Sequence, residues 1–227
     1  TFFLEQYSPT PLVAPWNGGS GFFPKDNRFA LDEILNGTAD RYANYREILI
    51  GCQKLLIEQQ LDEKPKDDEK PRLLQHCRNQ LPDTAIAWLD AAFLLTGDGP
   101  KYPPLLGTGG NDGRLEFTNN YMQHLLTILP ASEEASFPEN SERLKESLFA
   151  NLSCVRSSGT IGQFDPGSLG GANNGTGFEG VSSVNAWDYV LMLEGAIAFA
   201  AASVKKLESS VSGELTYPFC VRPAGVG

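Results

Sequence analysis

Residues 41–61 read RYANYREILIGCQKLLIEQQL, and the apolar positions of this stretch repeat with the period of an α-helix. Apolar residues that return every three to four positions line one face of a helix, so the stretch predicts a long helix with one buried side. We expect this helix to begin at Thr38 or Asp40. The residues on its apolar face are Tyr45, Ile48, Leu49, Cys52, Leu55 and Leu56.

Shorter periodic stretches predict further helices over residues 28–35, 72–81, 84–95, 114–129, 142–152 and 186–207. Residues 8–15, SPTPLVAP, are predicted to be extended, because a residue before proline is pushed out of the helical region. Residues 2–7 fit a strand or a helix end, and residues 214–221 fit a strand. The predicted fold class is therefore mainly α: an irregular helical domain with long Gly/Asn-rich loops and a few short strands at the ends.

The length of 227 residues fits one helical domain over residues 1–227. The chain begins without Met and stops in an apolar, strand-like run, so we expect it to be a fragment of a longer polypeptide. Two acidic connections, near residues 58–71 and 130–141, are predicted to lie on the surface. The longest apolar run, around residues 189–202, contains Glu194 and is too short to span a bilayer, so no membrane contact is expected.

The formal net charge is −10, which argues against a surface coated with basic residues for nucleic acid but leaves room for a local basic site. The four cysteines are dispersed, and no two form a CxxC pair. This spacing favours buried free thiols in a reducing cytoplasm, with two disulfides in a secreted protein as the alternative. His76 and His124 are the only histidines, so neither a metal site nor any other cofactor is predicted.

Three Gly/Asn-rich loops each lead into a predicted helix start, at Asn27, near Asp112 and at Asn185. A helix start carries unsatisfied N–H donors and a partial positive charge, and glycine lets the backbone approach an anion closely. Each loop alone is a weak signal, because such loops are most often turns. Together they predict a ligand-binding surface whose chemistry suits either nucleic acid or carbohydrate.

The enzyme motifs tested do not fit. The segment GTGGNDG at residues 107–113 lacks the spacing and the lysine of a phosphate-binding loop, and Asp112 stands where a dinucleotide-binding loop needs glycine. Asp112 and Glu116 are better explained as a helix cap and a first-turn acid than as a glycosidase pair. His124 is predicted to lie at the edge of the core. The three tryptophans are mostly core candidates, although Trp16, in a loop, could stack on a base or a sugar.

Three long segments resemble one known family. They are YSPTPLVAPWNGGSGFFPKDN (residues 7–27), LLGTGGNDGRLEFTNNYMQHL (105–125) and the run from GQFDPGSLGG to GFEGVSSVNAWDYVLMLEGAIAFAAA (162–202). They resemble the large-subunit family of the type I-U (I-G) CRISPR–Cas effector complexes. The C-terminal YPFCVRPAGVG also resembles this family, whereas the two acidic connections do not. The resemblance covers nearly the whole chain.

The resemblance implies a cytoplasmic, RNA-guided antiviral complex in which this chain binds and does not catalyse. Its partners would be the guide RNA-containing effector subunits and target double-stranded DNA, and a separate helicase-nuclease would cleave the target. The guide RNA would read sequence while the protein reads the short flanking motif and the backbone shape. The residues that we predict to contact nucleic acid are Asn17, Gly18, Gly19, Ser20, Lys25, Asn27, Gly109, Gly110, Asn111, Arg114, Gln163, Asn173 and Asn174.

Two other functions stay open at the level of sequence. One is a carbohydrate-binding or carbohydrate-active domain that uses its Trp, Asn and Gly loops. The other is a purely structural domain whose loops dock on protein.

Overall fold

The computed structural model describes residues 2–16, 20–66, 68–92, 94–96, 99–101, 117–132, 139–150, 157–160, 181–199, 202–204 and 214–216. The α-helices of this part are α1 (Phe2–Gln6), α2 (Phe29–Asn36), α3 (Ala43–Glu58), α4 (Lys70–Gln80), α5 (Asp83–Ala92), α6 (Phe117–Ile128), α7 (Asn140–Phe149) and α8 (Ala186–Ala198). A 3-10 turn, Asp40–Tyr42, leads into α3. The strands are β1 (Leu94–Thr96), β2 (Gly99–Lys101), β3 (Ser157–Thr160), β4 (Val181–Val184), β5 (Ala202–Val204) and β6 (Glu214–Thr216).

The protein is mainly helical, which confirms the predicted fold class. The six residues predicted for the apolar face of α3 are all buried. Residues 2–6 form a helix, which resolves the choice left open for this segment. The strands pair as three antiparallel hairpins, β1 with β2, β3 with β4 and β5 with β6. Two of these hairpins lie in the interior of the chain, where no strand was predicted, and the predicted helix over residues 84–95 is wrong at Leu94 and Leu95, which belong to β1.

For residues 202–204 the prediction of a helix over residues 186–207 is wrong, since the helix that forms stops at Ala198. Helix α8 ends there, and residues 202–204 form β5, which pairs with β6 so that Ser203 lies opposite Leu215. The alanine-rich run favours a helix locally, but pairing with a strand more than ten residues away competes with that preference. The predicted strand at 214–221 is found as Glu214–Thr216, and its remaining residues lie outside the described part.

Helix α8 lies at the centre of the packing. It contacts α5, α6 and α7, while α2 packs against both α3 and α6, and α4 packs against α3. Trp88 of α5 and Trp187 of α8 are among the largest fully buried side chains, and Trp88 meets Phe117 of α6 edge to face, with ring centroids 5.3 Å apart. No helix in the described part of the chain is long and apolar enough to cross a bilayer.

The proline-rich segment at residues 8–15 forms neither helix nor strand, and most of it is buried in the core. Leu12, Val13 and Ala14 have no exposed surface. A buried segment outside helices and sheets needs partners for its backbone polar groups. The Tyr45 hydroxyl donates to the Leu12 carbonyl at 2.6 Å, and the Trp88 indole N–H donates to the Val13 carbonyl. Side chains from α3 and α5 thus replace the backbone partners that a sheet would supply.

Cys52 and Cys77 are buried free thiols, as the favoured interpretation predicts, while the other two cysteines lie outside the described residues. Burial raises the pKa of Cys77 to about 12 and also raises the pKa of Cys52. Thiolate is the reactive form, so neither residue should react in the folded protein at pH 8. We expect peptide mapping after iodoacetamide treatment to find both unmodified in the native protein and modified after unfolding in urea. Rapid native labelling of either one would contradict this packing.

Candidate functional site

The first glycine-rich loop ends in a tight turn that we call the Lys25 turn, residues 23–26. The Asp26 N–H donates to the Phe23 carbonyl at 2.9 Å, which closes the turn with Pro24 and Lys25 at its centre. Proline suits this position because its ring sets the backbone angle that the turn requires. Phe22 and Phe23 are buried and anchor the turn to the core, whereas Pro24 and Lys25 are exposed.

A buried carboxylate holds the Lys25 turn from beneath. The Asp26 side chain is only 2% exposed, and its Oδ1 lies 3.2 Å from Nζ of Lys64. The Ser20 hydroxyl donates to Asp26 Oδ2 at 3.4 Å. A buried carboxylate is costly unless it is paired, so Lys64 offsets the desolvation of Asp26. This ion pair ties the turn to the acidic connection at residues 58–71, whose described residues are largely exposed.

The backbone on both sides of the turn is also fixed. Gly21 has a φ of +82°, a left-handed conformation that glycine adopts readily, and a Cβ there would lie 3.3 Å from the Asn27 carbonyl oxygen. The Arg28 guanidinium donates to the Phe22 carbonyl at 3.0 Å and to Asp32 at 3.2 Å. These contacts hold the turn in one conformation before any ligand arrives.

Three of the predicted contact residues lie in this region. Lys25 is exposed and forms no ion pair with any residue that the structure describes. Asn27 is exposed, and its Oδ1 accepts from the Phe29 N–H at 3.2 Å, so it caps α2 from one residue before the helix's N-cap position. Ser20 is fully buried, so in this conformation its hydroxyl supports Asp26 instead of facing a ligand.

The other predicted contact residues lie outside the described part of the chain, and their contacts remain predictions. They are Asn17, Gly18, Gly19, Gly109, Gly110, Asn111, Arg114, Gln163, Asn173 and Asn174. The acids Asp112 and Glu116 lie outside it as well.

Asn185 caps α8, as predicted, but this helix start does not offer open donors. The Asn185 Oδ1 accepts from the Trp187 N–H at 3.1 Å, and its Nδ2 donates to the Arg143 carbonyl at 2.7 Å. Its side chain is buried against α7. The cap therefore serves the packing of α7 on α8, and this helix start contributes no exposed anion site.

The structure shows where Trp16 and His124 lie. Trp16 is 3% exposed and belongs to the core, so it cannot stack on a base or a sugar in this conformation. His124 stacks on Tyr189 with ring centroids 4.5 Å apart, which fits the predicted place at the edge of the core.

A groove that sequence reasoning missed lies between α2, α6 and the segment that follows α6, and we call it the α2–α6 groove. Its volume is about 350 Å³. Phe29 forms one wall and is 64% exposed, although it is the first residue of α2. The groove brings together residues that are about a hundred positions apart in the chain, so no local sequence pattern predicts it. Its lining residues are Phe29, Glu33, Gln123, Leu126, Thr127, Pro130, Ala131 and Ser132.

The floor of the groove depends on a close backbone approach. The Ala39 N–H donates to the Ala131 carbonyl at 3.0 Å. Gly37 lies so near Ala131 that a Cβ on Gly37 would be 2.3 Å from that carbonyl oxygen. Only glycine permits this contact, which joins the end of α2 to the segment after α6.

A carboxylate on α8 holds the N-terminal segment that leads to the first loop. Glu194 Oε1 accepts from the Tyr7 hydroxyl at 2.6 Å and from the Tyr121 hydroxyl at 2.7 Å. The Thr10 N–H donates to the same oxygen at 3.1 Å, and its hydroxyl donates to Oε2 at 2.6 Å. Burial, and then the nearby Glu194 charge, raise the pKa of Tyr7, so its phenol stays protonated as a donor. We call these four residues the Glu194 cluster.

The fold and this site define a mainly helical protein with two surface features: a turn with an exposed lysine at the end of the first glycine-rich loop, and a groove between α2 and α6. No protein-family model matches the chain, and no curated protein matches it.

Proposed function

We propose that this chain is a nucleic-acid-binding large subunit of a cytoplasmic, RNA-guided antiviral surveillance complex. It would help to recognise the motif flanking the target DNA and to assemble the complex, leaving target cleavage to a separate helicase-nuclease. The resemblance of residues 7–27, 105–125 and 162–202 to the type I-U (I-G) large-subunit family supports the class. The Lys25 turn is the observation that suggests where this chain would contact nucleic acid. It presents an exposed lysine that has no ion-pair partner among the described residues.

The geometry of the turn suits a groove of duplex DNA. Pro24 and Lys25 project at the tip while Phe22, Phe23 and Asp26 are buried, so the exposed part is narrow. The Lys25 ammonium can contact a phosphate or an acceptor on a base edge, and the Asn27 amide can both donate and accept. The minor groove presents mainly acceptors, so a lysine there would read its degenerate pattern.

The charge balance limits how much of the affinity this chain supplies. With a net charge of −10, and with Lys64 paired to Asp26, few cations remain near the turn. Each phosphate contact adds about 0.9 to the dependence of log affinity on log salt concentration. We therefore expect a weak salt dependence for this chain and a steeper one when companion subunits add their basic residues.

Replacing Lys25 with alanine should weaken duplex binding and reduce the salt slope by about one, because one phosphate contact is lost. The measurement is fluorescence anisotropy with duplexes that carry a randomised flanking motif, at several salt concentrations. Arg114→Ala tests the second loop in the same way. The matched control is Lys145→Ala, which removes an exposed lysine of α7 that is paired with Glu142.

The results of these binding measurements distinguish an error in the assigned site from an error in the proposed function. If Lys25→Ala and Arg114→Ala leave both duplex binding and assembly intact, the site assignment is wrong. If the unmodified chain binds no flanking-motif duplex, alone or with guide RNA and companion subunits, the proposed function is wrong.

A structural docking domain is the second candidate, and one observation favours it. Ile50 and Ile57 lie two turns apart on α3, with 57% and 77% of their surfaces exposed. Apolar residues so placed suit contact with another protein. Under this alternative, Ile50→Ser with Ile57→Ser would block assembly with companion subunits, while Lys25→Ala would leave duplex binding unchanged. The carbohydrate alternative loses Trp16 as a stacking residue, because Trp16 is buried.

A further inference from the structure

We propose that the α2–α6 groove binds one unstacked base of a single strand, with the base lying against Phe29 and its amino edge facing Glu33. This inference rests on the proposed function, since an opened target duplex would supply the single strand. It adds a site, a ligand class and a base preference to that function.

The size of the groove sets the class of ligand. A volume of about 350 Å³ lies at the lower end for small-molecule pockets. Such a space admits one base with part of its sugar. The floor at Ala131 is held by the Ala39 hydrogen bond and by the Gly37 approach, so the pocket is formed before a ligand binds.

Phe29 supplies the stacking surface. A large aromatic side chain that is 64% exposed at the rim of a groove has an open ring face. Aromatic side chains bind single strands by stacking on successive bases, and this contact is tolerant of sequence because every base has a π-face. Asn27 caps the first turn of α2 through the Phe29 N–H, which fixes the backbone that carries the ring.

The polar lining points to a base edge and not to a phosphate. Glu33 places a carboxylate in the groove, and a carboxylate repels phosphate but accepts from an exocyclic amino group. The Gln123 amide can donate and accept beside it. Thr127 already donates its hydroxyl to the Gln123 carbonyl at 3.0 Å, which leaves its oxygen as an acceptor. The lining therefore favours cytosine, adenine and guanine, which carry amino groups, over thymine.

The Lys25 turn, which precedes α2 in the chain, offers a cation for the sugar–phosphate backbone of the bound strand. Lys25 is exposed and lies four residues before Phe29 in the chain, within the segment fixed by Arg28 and Asn27. If the sugar–phosphate backbone of the bound strand runs along this segment, the Lys25 ammonium supplies a cation for a phosphate, while Asp26 of the same turn is already paired with Lys64.

The experiment measures anisotropy of labelled single-stranded DNA of 15 nucleotides, as dC, dA or dT tracts and as an abasic tract. Phe29→Ala should weaken binding of the dC and dA tracts about tenfold, in line with the loss of one stacking contact. The abasic tract should bind wild type and Phe29→Ala equally. Phe149→Ala, which removes another largely exposed phenylalanine, at the end of α7, is the matched control and should change nothing. Glu33→Gln should reduce the preference for dC and dA over dT.

Several results would overturn this inference. They are equal binding of the dC tract by wild type and Phe29→Ala, equal binding of the abasic and dC tracts by wild type, or a Phe29→Ala defect confined to assembly with protein partners. Failure here is distinct from failure of the proposed function, because duplex binding through Lys25 is measured separately. If Phe29→Ala weakens single-strand binding but the protein binds no duplex, the groove remains a base-binding site and the flanking-motif role is rejected.

Discussion

Replacing Glu194 with alanine should lower the free energy of unfolding by about 3 kcal/mol, because the partly buried donors of the Glu194 cluster lose a charged acceptor that takes four hydrogen bonds. In the folded protein this carboxylate accepts from Tyr7, Thr10 and Tyr121. The two phenols lie 3.3 Å apart and can still bond to each other, so the loss is smaller than the sum of separate bonds. Urea unfolding followed by circular dichroism measures the change.

Two variants control for charge and for side-chain loss. Glu142→Ala removes a carboxylate that is 60% exposed and paired with Lys145, and it should cost less than about 1 kcal/mol. Glu194→Gln retains one acceptor oxygen and should fall between wild type and Glu194→Ala. If Glu194→Ala unfolds at the same urea concentration as Glu142→Ala, the cluster does not hold the N-terminal segment.

Gly37→Ala should destabilise the protein by about 2 to 3 kcal/mol, since the new Cβ has no room. It would lie 2.3 Å from the Ala131 carbonyl oxygen and 2.5 Å from the Ala131 Cβ, so the end of α2 must move away from the segment after α6. That movement would also strain the hydrogen bond from Ala39 to Ala131. Thermal and urea unfolding of the purified variant measure the effect.

Gly195→Ala is the matched control for this substitution. Gly195 lies inside α8, and a Cβ there meets no atom within 4 Å. Alanine lowers the conformational cost of a helix interior, so this variant should gain about 0.5 to 1 kcal/mol. Equal stability of Gly37→Ala and Gly195→Ala would show that the contact between Gly37 and Ala131 is looser than the structure has it.

The site was only partly predictable from sequence. The capping role of Asn27 arises from neighbouring residues, and the local pattern indicated it. The burial of Ser20 was not predicted, and the sequence left Trp16 open between the core and a ligand site, because both positions depend on the core that forms beneath the loop. The α2–α6 groove was missed for the same reason, since Phe29 and Gln123 share no local pattern.

The sequence by itself determined the features that arise within a few residues. Helical periodicity placed α3 and its buried face, and the prolines kept residues 8–15 out of a helix. Asn185 marks the start of α8, where its side chain accepts from the Trp187 N–H two residues on. Tertiary structure alone decided the rest. The bond from Tyr7 to Glu194 joins residues 187 positions apart, and the end of α8 reflects the pairing of β5 with β6. Such contacts exist only after the chain packs, because their free energy depends on burial and geometry that no local segment contains.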